Sequence, residues 1–183
     1  MMHKRIQAVL CAMILLCGAL LISGTGGASE AAVTEGTDVT AAGWHIAVED
    51  MQLNESLENI KVTLGYTAVE TTEYSKQAPE GMTFCMVKLL IEKKGSKETI
   101  DWEKMLLTDG EGNEYQRTGD EFLIDLGMKR MPGTKLNFGS NEGWIAYLVP
   151  ADTAGLVISY RFTDETWRCS LEDISAEEQT TAQ

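Results

Sequence analysis

The sequence has little positive charge: 15 lysines and arginines stand against 28 aspartates and glutamates, and the formal net charge is −13. Nucleic acids and anionic membrane surfaces require a basic face on the protein that binds them, so neither is expected as the main partner. The sequence also lacks the alternation of strand and helix patterns that a parallel nucleotide-binding sheet needs. These two absences exclude large classes of function before any motif is considered.

Histidine is scarce as well, because beyond residue 28 the chain contains only His45. A serine or cysteine nucleophile activated by histidine would have to use this residue. We interpret His45, which lies beside Trp44 in an alternating pattern, as a strand residue without a catalytic role. A zinc site is not expected either, since one histidine and two separated cysteines do not give a ligand cluster of the usual spacing.

The N-terminal segment has the order of a secretory signal peptide. Lys4 and Arg5 precede an apolar run, and small residues follow this run up to Ala28. We predict that residues 1–28 are a signal peptide cleaved after Ala28, with cleavage after Ala31 as the alternative. An uncleaved membrane anchor is a further alternative, because the apolar run approaches the length of a bilayer span.

A lipid anchor on a cysteine is the remaining alternative for this segment. A lipobox has a small residue directly before its cysteine, whereas leucine precedes both Cys11 and Cys17. In every case the rest of the chain is exported. We therefore predict a protein that is secreted or held at the extracellular face of the cell envelope. It would contact the membrane only in the alternative in which the signal segment stays uncleaved.

Composition divides the exported part into three regions. Residues 29–43 contain almost no large side chain and are predicted to be a flexible linker. Residues 44–171 carry the strand patterns and are predicted to form a single domain. Residues 172–183 are predicted to be an acidic disordered tail.

Short alternating segments separated by turns predict an all-β domain, with one short helix within Gly119–Met128. Trp167, Cys169 and Leu171 alternate at its end and predict a short edge strand, open to a strand from another protein. Many short strands without long helical patterns predict an immunoglobulin-like antiparallel β-sandwich. The other predicted strands are Trp44–Val48, Ile60–Leu64, Phe84–Ile91, a hairpin of Lys104–Thr108 with Glu114–Gln116, Trp144–Val149 and Leu156–Phe162.

Four motifs follow one another in a recognisable order: the strand Gly81–Glu92, the hairpin Leu107–Tyr115, the segment Met131–Gly133 with its Pro-Gly, and the strand Gly143–Pro150. In this order they resemble a bacterial family of secreted immunoglobulin-like domains of unknown function, which is related to the mycobacterial immunoprotective extracellular antigen. The chain departs from many relatives at Glu92–Gly95, where they have an asparagine-led turn, and in its lipobox. The resemblance implies an exported β-sandwich and carries over no catalytic residue.

Cys85 and Cys169 remain after the signal segment, an even pair in an oxidising compartment. We predict a disulfide between them, which would attach the C-terminal strand to the sandwich. Trp102 lies between them, in the Cys-Trp-Cys order of immunoglobulin domains. Two unpaired thiols are the alternative, with Cys85 buried as a small apolar side chain.

Oxygen-bearing side chains in the predicted hairpin turn are the candidate metal ligands. Asp109, Glu111 and Asn113 alternate, and Asp120 is the twelfth residue counted from Asp109, as in a calcium-binding loop. The position that needs glycine in such a loop holds Glu114, so we predict a plain hairpin turn, with a calcium-binding loop as the alternative. We therefore predict no cofactor, and calcium is the one candidate that the motif leaves open.

These motifs contain no catalytic set. We predict a non-catalytic binding or interaction module whose partner is an extracellular or envelope protein or a glycan. A hydrolase of envelope polymers is one alternative, and it would need two positioned carboxylates or one carboxylate with His45. A structural accessory subunit of an envelope complex is the other, and it would use the predicted free edge at Trp167–Leu171.

Overall fold

The computed structural model describes residues 31–64 and 69–174. The predicted signal peptide with its cleavage site at Ala28 lies outside these residues, as does 175–183. Among the described residues, no helix has the length and hydrophobicity needed to cross a membrane. The strands and helices are β1 Ala32–Glu35, β2 Asp38–Ala41, β3 Trp44–Asn54, β4 Ser56–Leu64, β5 Val69–Gln77, β6 Met82–Lys93, a 3-10 helix Trp102–Lys104, β7 Met105–Thr108, β8 Glu114–Gln116, α1 Phe122–Asp125, β9 Ser140–Pro150, β10 Val157–Arg161 and β11 Glu165–Ser170.

Two sheets form a β-sandwich. One sheet has the strand order β1-β11-β10-β7-β8, and the other has the order β2-β3-β6-β9. Neighbouring strands are antiparallel in both sheets except β1 and β11, which are parallel. The all-β antiparallel sandwich predicted from the sequence is therefore confirmed.

The inner faces of the two sheets enclose the main core. Strand β6 shows how the sequence pattern produces it, because side chains alternate along a strand and every second residue faces inward. Tyr147 of β9 donates its hydroxyl to the carbonyl of Met105 in β7 at 3.1 Å, so a buried hydrogen bond joins the two sheets. The fully buried residues of β6 in this core are Cys85, Val87, Leu89 and Ile91.

A second apolar cluster lies on the outer face of the four-stranded sheet. Phe84 and Met86 of β6 face away from the main core, and Phe122 of α1 covers them. The ring centroids of Phe84 and Phe122 are 5.1 Å apart. The short helix predicted within Gly119–Met128 is thus confirmed. Leu57 of β4 belongs to the same cluster, so this cluster supports a third sheet, the two-stranded ribbon of β4 and β5.

The prediction of a flexible linker over residues 29–43 is wrong from Ala31 onward. β1 pairs with β11, and β2 pairs with β3, so both short strands are sheet edges of the sandwich. Edge strands are held largely by hydrogen bonds between backbone N–H and C=O groups, which residues with small side chains form as well as residues with large ones. Ala41 is fully buried and Val39 packs against the main core.

A tight turn between β2 and β3 explains the small residues at the end of this segment. Ala42 and Gly43 both have positive φ, 47° and 76°, as a two-residue hairpin turn of type I′ requires. A Cβ atom on Gly43 would lie 2.6 Å from the backbone nitrogen of Ser96, so only glycine fits. The composition that suggested a linker is therefore in part the composition of a turn.

The C-terminal boundary also differs from the prediction. β11 lies between β1 and β10, so the segment Trp167–Leu171 is not the open edge strand that its pattern predicted. The N–H of Leu171 donates to the carbonyl of Leu156 at 2.9 Å, and Ile174 is buried in the main core. Residues 172–174 of the predicted acidic tail therefore belong to the folded domain.

Candidate functional site

Asp109 organises the turn of the β7–β8 hairpin. Its Oδ1 accepts hydrogen bonds from the backbone N–H groups of Glu111 at 3.0 Å and Asn113 at 2.8 Å. Its Oδ2 accepts from Nδ2 of Asn113 at 2.8 Å and from the hydroxyl of Tyr115 at 2.7 Å. These hydrogen bonds, led by the one from the Asn113 side chain, lower the pKa of Asp109 to about 2. The carboxylate is ionised and its oxygens are occupied by the turn itself.

Asp120 lies in a different environment, fully buried just before α1. Arg117 donates to it from Nε at 2.7 Å and from Nη2 at 3.1 Å, and Arg130 donates from Nε at 2.6 Å. Arg117 also donates to the carbonyls of Met131 at 2.7 Å and Pro132 at 3.1 Å. This buried ion cluster fastens the chain segments before and after α1 to each other.

The candidate calcium ligands Asp109, Glu111, Asn113 and Asp120 are therefore not brought together. Asp109 is committed to its own hairpin turn, and Asp120 is neutralised by two arginines. The calcium-binding loop considered as the alternative is not formed, because β8 carries the chain away from the turn before Asp120 is reached. Within the described ranges, no three histidine, cysteine or acidic side chains are placed to hold a metal ion.

The thiols of Cys85 and Cys169 are buried and free, so the predicted disulfide is not formed. Cys85 lies in β6 of the four-stranded sheet and Cys169 in β11 of the opposite sheet. Facing sheets are about 10 Å apart, whereas the Cα atoms of a disulfide lie about 4.4–6.8 Å apart. Burial raises the pKa of both thiols to about 12, so they stay protonated and act as small apolar side chains.

His45 lies in the middle of the four-stranded sheet, because β3 is flanked by β2 and β6. Its Nε2 is 2.7 Å from Oδ1 of Asp38 on β2, and the Asp38 side chain is 71% exposed. The contact is a cross-strand surface pair. It agrees with the interpretation of His45 as a strand residue.

The hydrogen bonds to Asp109 make the stability of the protein depend on pH in the acid range. The folded-state pKa of about 2 lies below the usual 3.8, so unfolding takes up a proton as the pH falls. The contribution of the ionised Asp109 to the free energy of unfolding is complete above about pH 4, and it is lost as the pH falls toward about 2. In Asp109→Asn we expect a lower melting temperature at pH 6 and a shallower fall of melting temperature between these pH values. Thermal melts at closely spaced pH test this.

Glu111→Gln is the matched control for that experiment, because it removes one negative charge from the same turn without removing the acceptor for Asn113 and Tyr115. It should keep the acid slope of the wild-type protein. Equal slopes in wild type and Asp109→Asn would show that the turn hydrogen bonds do not favour the ionised carboxylate.

The base of the β4–β5 ribbon is fixed to the domain. Leu57 is buried in the second apolar cluster. Nδ2 of Asn59 donates to the carbonyl of Asp125 in α1 at 2.9 Å, and the ammonium of Lys76 lies 4.3 Å from the centroid of the Phe122 ring. An isolated two-stranded hairpin is only marginally stable in water, so these contacts hold the ribbon in place.

The distal part of the ribbon exposes apolar side chains on one face. Of the eight large apolar side chains that are exposed among the described residues, four lie here: Ile60 is 63% exposed, Val62 56%, Leu64 79% and Val69 64%. Ile60, Val62 and Leu64 lie an odd number of positions from the buried Leu57, so they face the opposite side of β4. Val69 on β5 is paired with Leu64 and lies on the same side, so all four share the face turned away from α1. Clustered exposed apolar residues mark contact surfaces.

Both edges of the ribbon are open. Within the part of the chain that the structure describes, β4 and β5 pair only with each other, in a register that runs from Ser56–Gln77 to Leu64–Val69. Each strand therefore presents a row of unpaired backbone N–H and C=O groups along its outer side. An apolar face and two free edges make this ribbon the candidate contact site.

Comparisons with known proteins give two structural similarities. No family model and no curated protein matches the chain. An uncharacterized β-sandwich protein from Clostridium difficile is 10% identical with a TM-score of 0.41, over 78% of this chain and 95% of that one. A candidate lipoprotein from Bacillus subtilis, YcdA, is 17% identical with a TM-score of 0.45. That match covers 78% of this chain, which spans only 42% of the Bacillus protein.

Proposed function

We propose that this protein is an exported, non-catalytic binding module and that the β4–β5 ribbon is its contact surface. The observation that carries the proposal is the row of Ile60, Val62, Leu64 and Val69 on a ribbon with two unpaired edges. A partner that covers this face removes apolar surface from water and pairs the free backbone groups. The isolated domain leaves this apolar surface in water and these backbone groups unpaired by protein, so association with a partner is favourable on both counts.

Export is supported by the sequence of residues 1–28, which has the charged, apolar and small-residue regions of a signal peptide. The resemblance to secreted immunoglobulin-like domains agrees with this location. Neutral, buried thiols at Cys85 and Cys169 are compatible with an oxidising compartment, because the thiolate is the reactive form.

Among the described residues, the carboxyl groups with a shifted pKa do not include one with the raised pKa of a general acid. A glycoside hydrolase needs one carboxyl group whose pKa is raised so that it can donate a proton. Each carboxyl group of the described residues whose pKa is shifted has a lowered pKa, because it accepts hydrogen bonds from a cation or a turn. These groups are Glu92, Asp101, Asp109 and Glu142.

The test removes the apolar row without changing the strand. In the triple variant Ile60→Thr, Val62→Thr and Leu64→Thr, threonine keeps β-propensity while the face becomes polar. The three positions are exposed, so the free energy of unfolding should change by about 0.5 kcal/mol or less at each. We expect the wild-type protein purified from the producing cells to carry a companion protein in native mass spectrometry, and the triple variant to lack it. A wild-type protein that carries no companion would contradict the proposal.

Phe138→Thr is the matched control, because Phe138 is 81% exposed but lies outside the ribbon. It should retain the companion in wild-type amount. Retention of the companion by the triple variant, or its loss in Phe138→Thr alone, would place the contact surface elsewhere on the domain.

A further inference from the structure

We propose that the ribbon binds an extended segment of a basic protein, which adds as a third strand along the outer edge of β5. This inference rests on the ribbon being the contact surface and names the chemistry of its partner. Addition of a strand to an open sheet edge supplies main-chain hydrogen bonds, while alternate side chains supply specificity. The ribbon offers both, because its edges are unpaired and its faces differ in polarity.

The two edges are not equivalent. Lys61 is exposed in the middle of β4, and lysine on an edge strand is a common protection against added strands. From Val69 to Ser75, β5 contains neither lysine nor proline. Lys76 lies beyond this stretch, at the base of the ribbon, where its ammonium is placed over the Phe122 ring. The accessible edge is therefore that of β5.

Charge selects a basic occupant for this edge. Glu70 and Glu73 are both exposed on β5, and the protein as a whole carries a net charge of −13. A strand with lysine or arginine opposite these two residues forms cross-strand pairs of opposite charge, which are favourable. A second copy of this chain is disfavoured, because its own β5 edge from Val69 to Ser75 carries the same two glutamates and no basic residue to place opposite them.

The register of the ribbon gives the sequence pattern of the partner strand. Val69, Thr71 and Glu73 share the apolar face, because β5 alternates and Val69 is paired with Leu64. An antiparallel third strand runs from the position opposite Glu73 to the position opposite Val69. It needs basic residues opposite Glu73 and Glu70 and apolar residues opposite Thr71 and Val69. In its own N- to C-terminal order the pattern is basic, any residue, apolar, basic, apolar. The apolar face of the ribbon would continue onto the added strand.

The experiment uses a labelled synthetic peptide, Ser-Thr-Lys-Thr-Val-Lys-Val-Thr-Ser, which has this pattern, and measures its binding to the full chain by fluorescence anisotropy. We expect a peptide with glutamate in place of both lysines to bind at least about tenfold more weakly. The double variant Glu70→Lys with Glu73→Lys should reverse this preference. Binding of both peptides with equal affinity, or a preference unchanged in the double variant, would overturn the proposal.

Backbone methylation tests strand addition separately from charge. Two further peptides carry N-methyl groups on one or the other alternating set of residues, and only one of these sets can donate to the β5 edge. We expect one methylated peptide to lose binding and the other to keep it. Equal behaviour of the two peptides would show that the contact is electrostatic and not a strand addition, and would overturn the proposal.

Two further outcomes separate this inference from the proposed function. If the threonine triple variant loses its companion from the producing cells but the basic peptide does not bind, the inference fails and the ribbon remains the contact surface. If the purified protein alone sediments as a dimer that the triple variant dissociates, the occupant is a second copy, and the basic partner is rejected. If the triple variant keeps its companion, both proposals fail together.

Discussion

Replacing Asp120 by alanine is expected to lower the free energy of unfolding by about 3–5 kcal/mol, a large share of the total for a domain of this size. Asp120 is fully buried and is the shared counter-charge of Arg117 and Arg130, whose side chains are only 10% and 21% exposed. Without it, both guanidinium groups are left in a poorly hydrated site. Urea unfolding followed by tryptophan fluorescence measures the loss.

Arg117 spreads the effect beyond the ion pair. Asp120 holds the guanidinium that donates to the carbonyls of Met131 and Pro132, and this guanidinium lies 5.8 Å from the ring of Trp102. The N–H of Met131 in turn donates to the carbonyl of Trp144 in β9 at 2.8 Å. Loss of the carboxylate therefore loosens a segment that is attached to the edge of the four-stranded sheet.

Glu121→Ala is the control for this prediction. Glu121 is the neighbouring residue and accepts from Arg130 Nη2 at 2.8 Å, but its side chain is 71% exposed. Exposed ion pairs contribute about 1 kcal/mol or less, so this variant should be nearly as stable as the wild type. Similar small losses in both variants would mean that water or another group compensates the two arginines.

The strands were predictable because burial on one face forces a period of two. Phe84–Ile91 and Trp144–Val149 have this pattern, and both lie within β6 and β9 of the four-stranded sheet. The β7–β8 hairpin was predictable for a different reason, since a glycine in its turn, Gly112 with a φ of 87°, permits the backbone angles of a tight turn. Local rules therefore determine which segments pair.

The function of individual polar residues was not predictable in the same way. Asp109 and Asp120 are both acidic residues in a loop-rich segment, and spacing alone places them in one calcium loop. One is bound by four hydrogen-bond donors of its own turn, and the other is buried between two arginines. The two residues differ because β8 leads the chain away from the turn that contains Asp109. The path of β8 depends on the tertiary structure and cannot be read from the spacing of the two residues.

The ribbon was predicted in part. Ile60–Leu64 was recognised as a strand, but its alternation of apolar and polar residues is the same as that of a half-buried strand. Only the structure shows that Leu57 faces the domain and that Ile60 and Val62 face solvent. A sequence signal did exist, because no charged side chain occurs from Val62 to Val69.

Deletion of residues 31–41 from a chain that lacks the signal segment is expected to lower the free energy of unfolding by about 3–6 kcal/mol. Burial of one large apolar side chain contributes about 1.5–3 kcal/mol, and the deletion uncovers two such side chains. Trp167 is paired with Thr34 in β1 and donates from Nε1 to the carbonyl of Gly36 at 3.1 Å. Trp44 is paired with Ala41 in β2. A flexible linker would cost nothing to remove, so this deletion decides between the two descriptions of the segment.

A chain that begins at Ala31 is the control, since it retains β1 and β2 and should unfold like the chain that begins at residue 29. The deletion also opens the edges of β11 and β3, whose backbone groups lose their strand partners. We therefore expect the shortened protein to associate in sedimentation experiments as well as to unfold at a lower urea concentration. If the shortened protein keeps its stability and stays monomeric, residues 31–41 are a linker after all. The two tryptophans would then have to be covered by other parts of the domain.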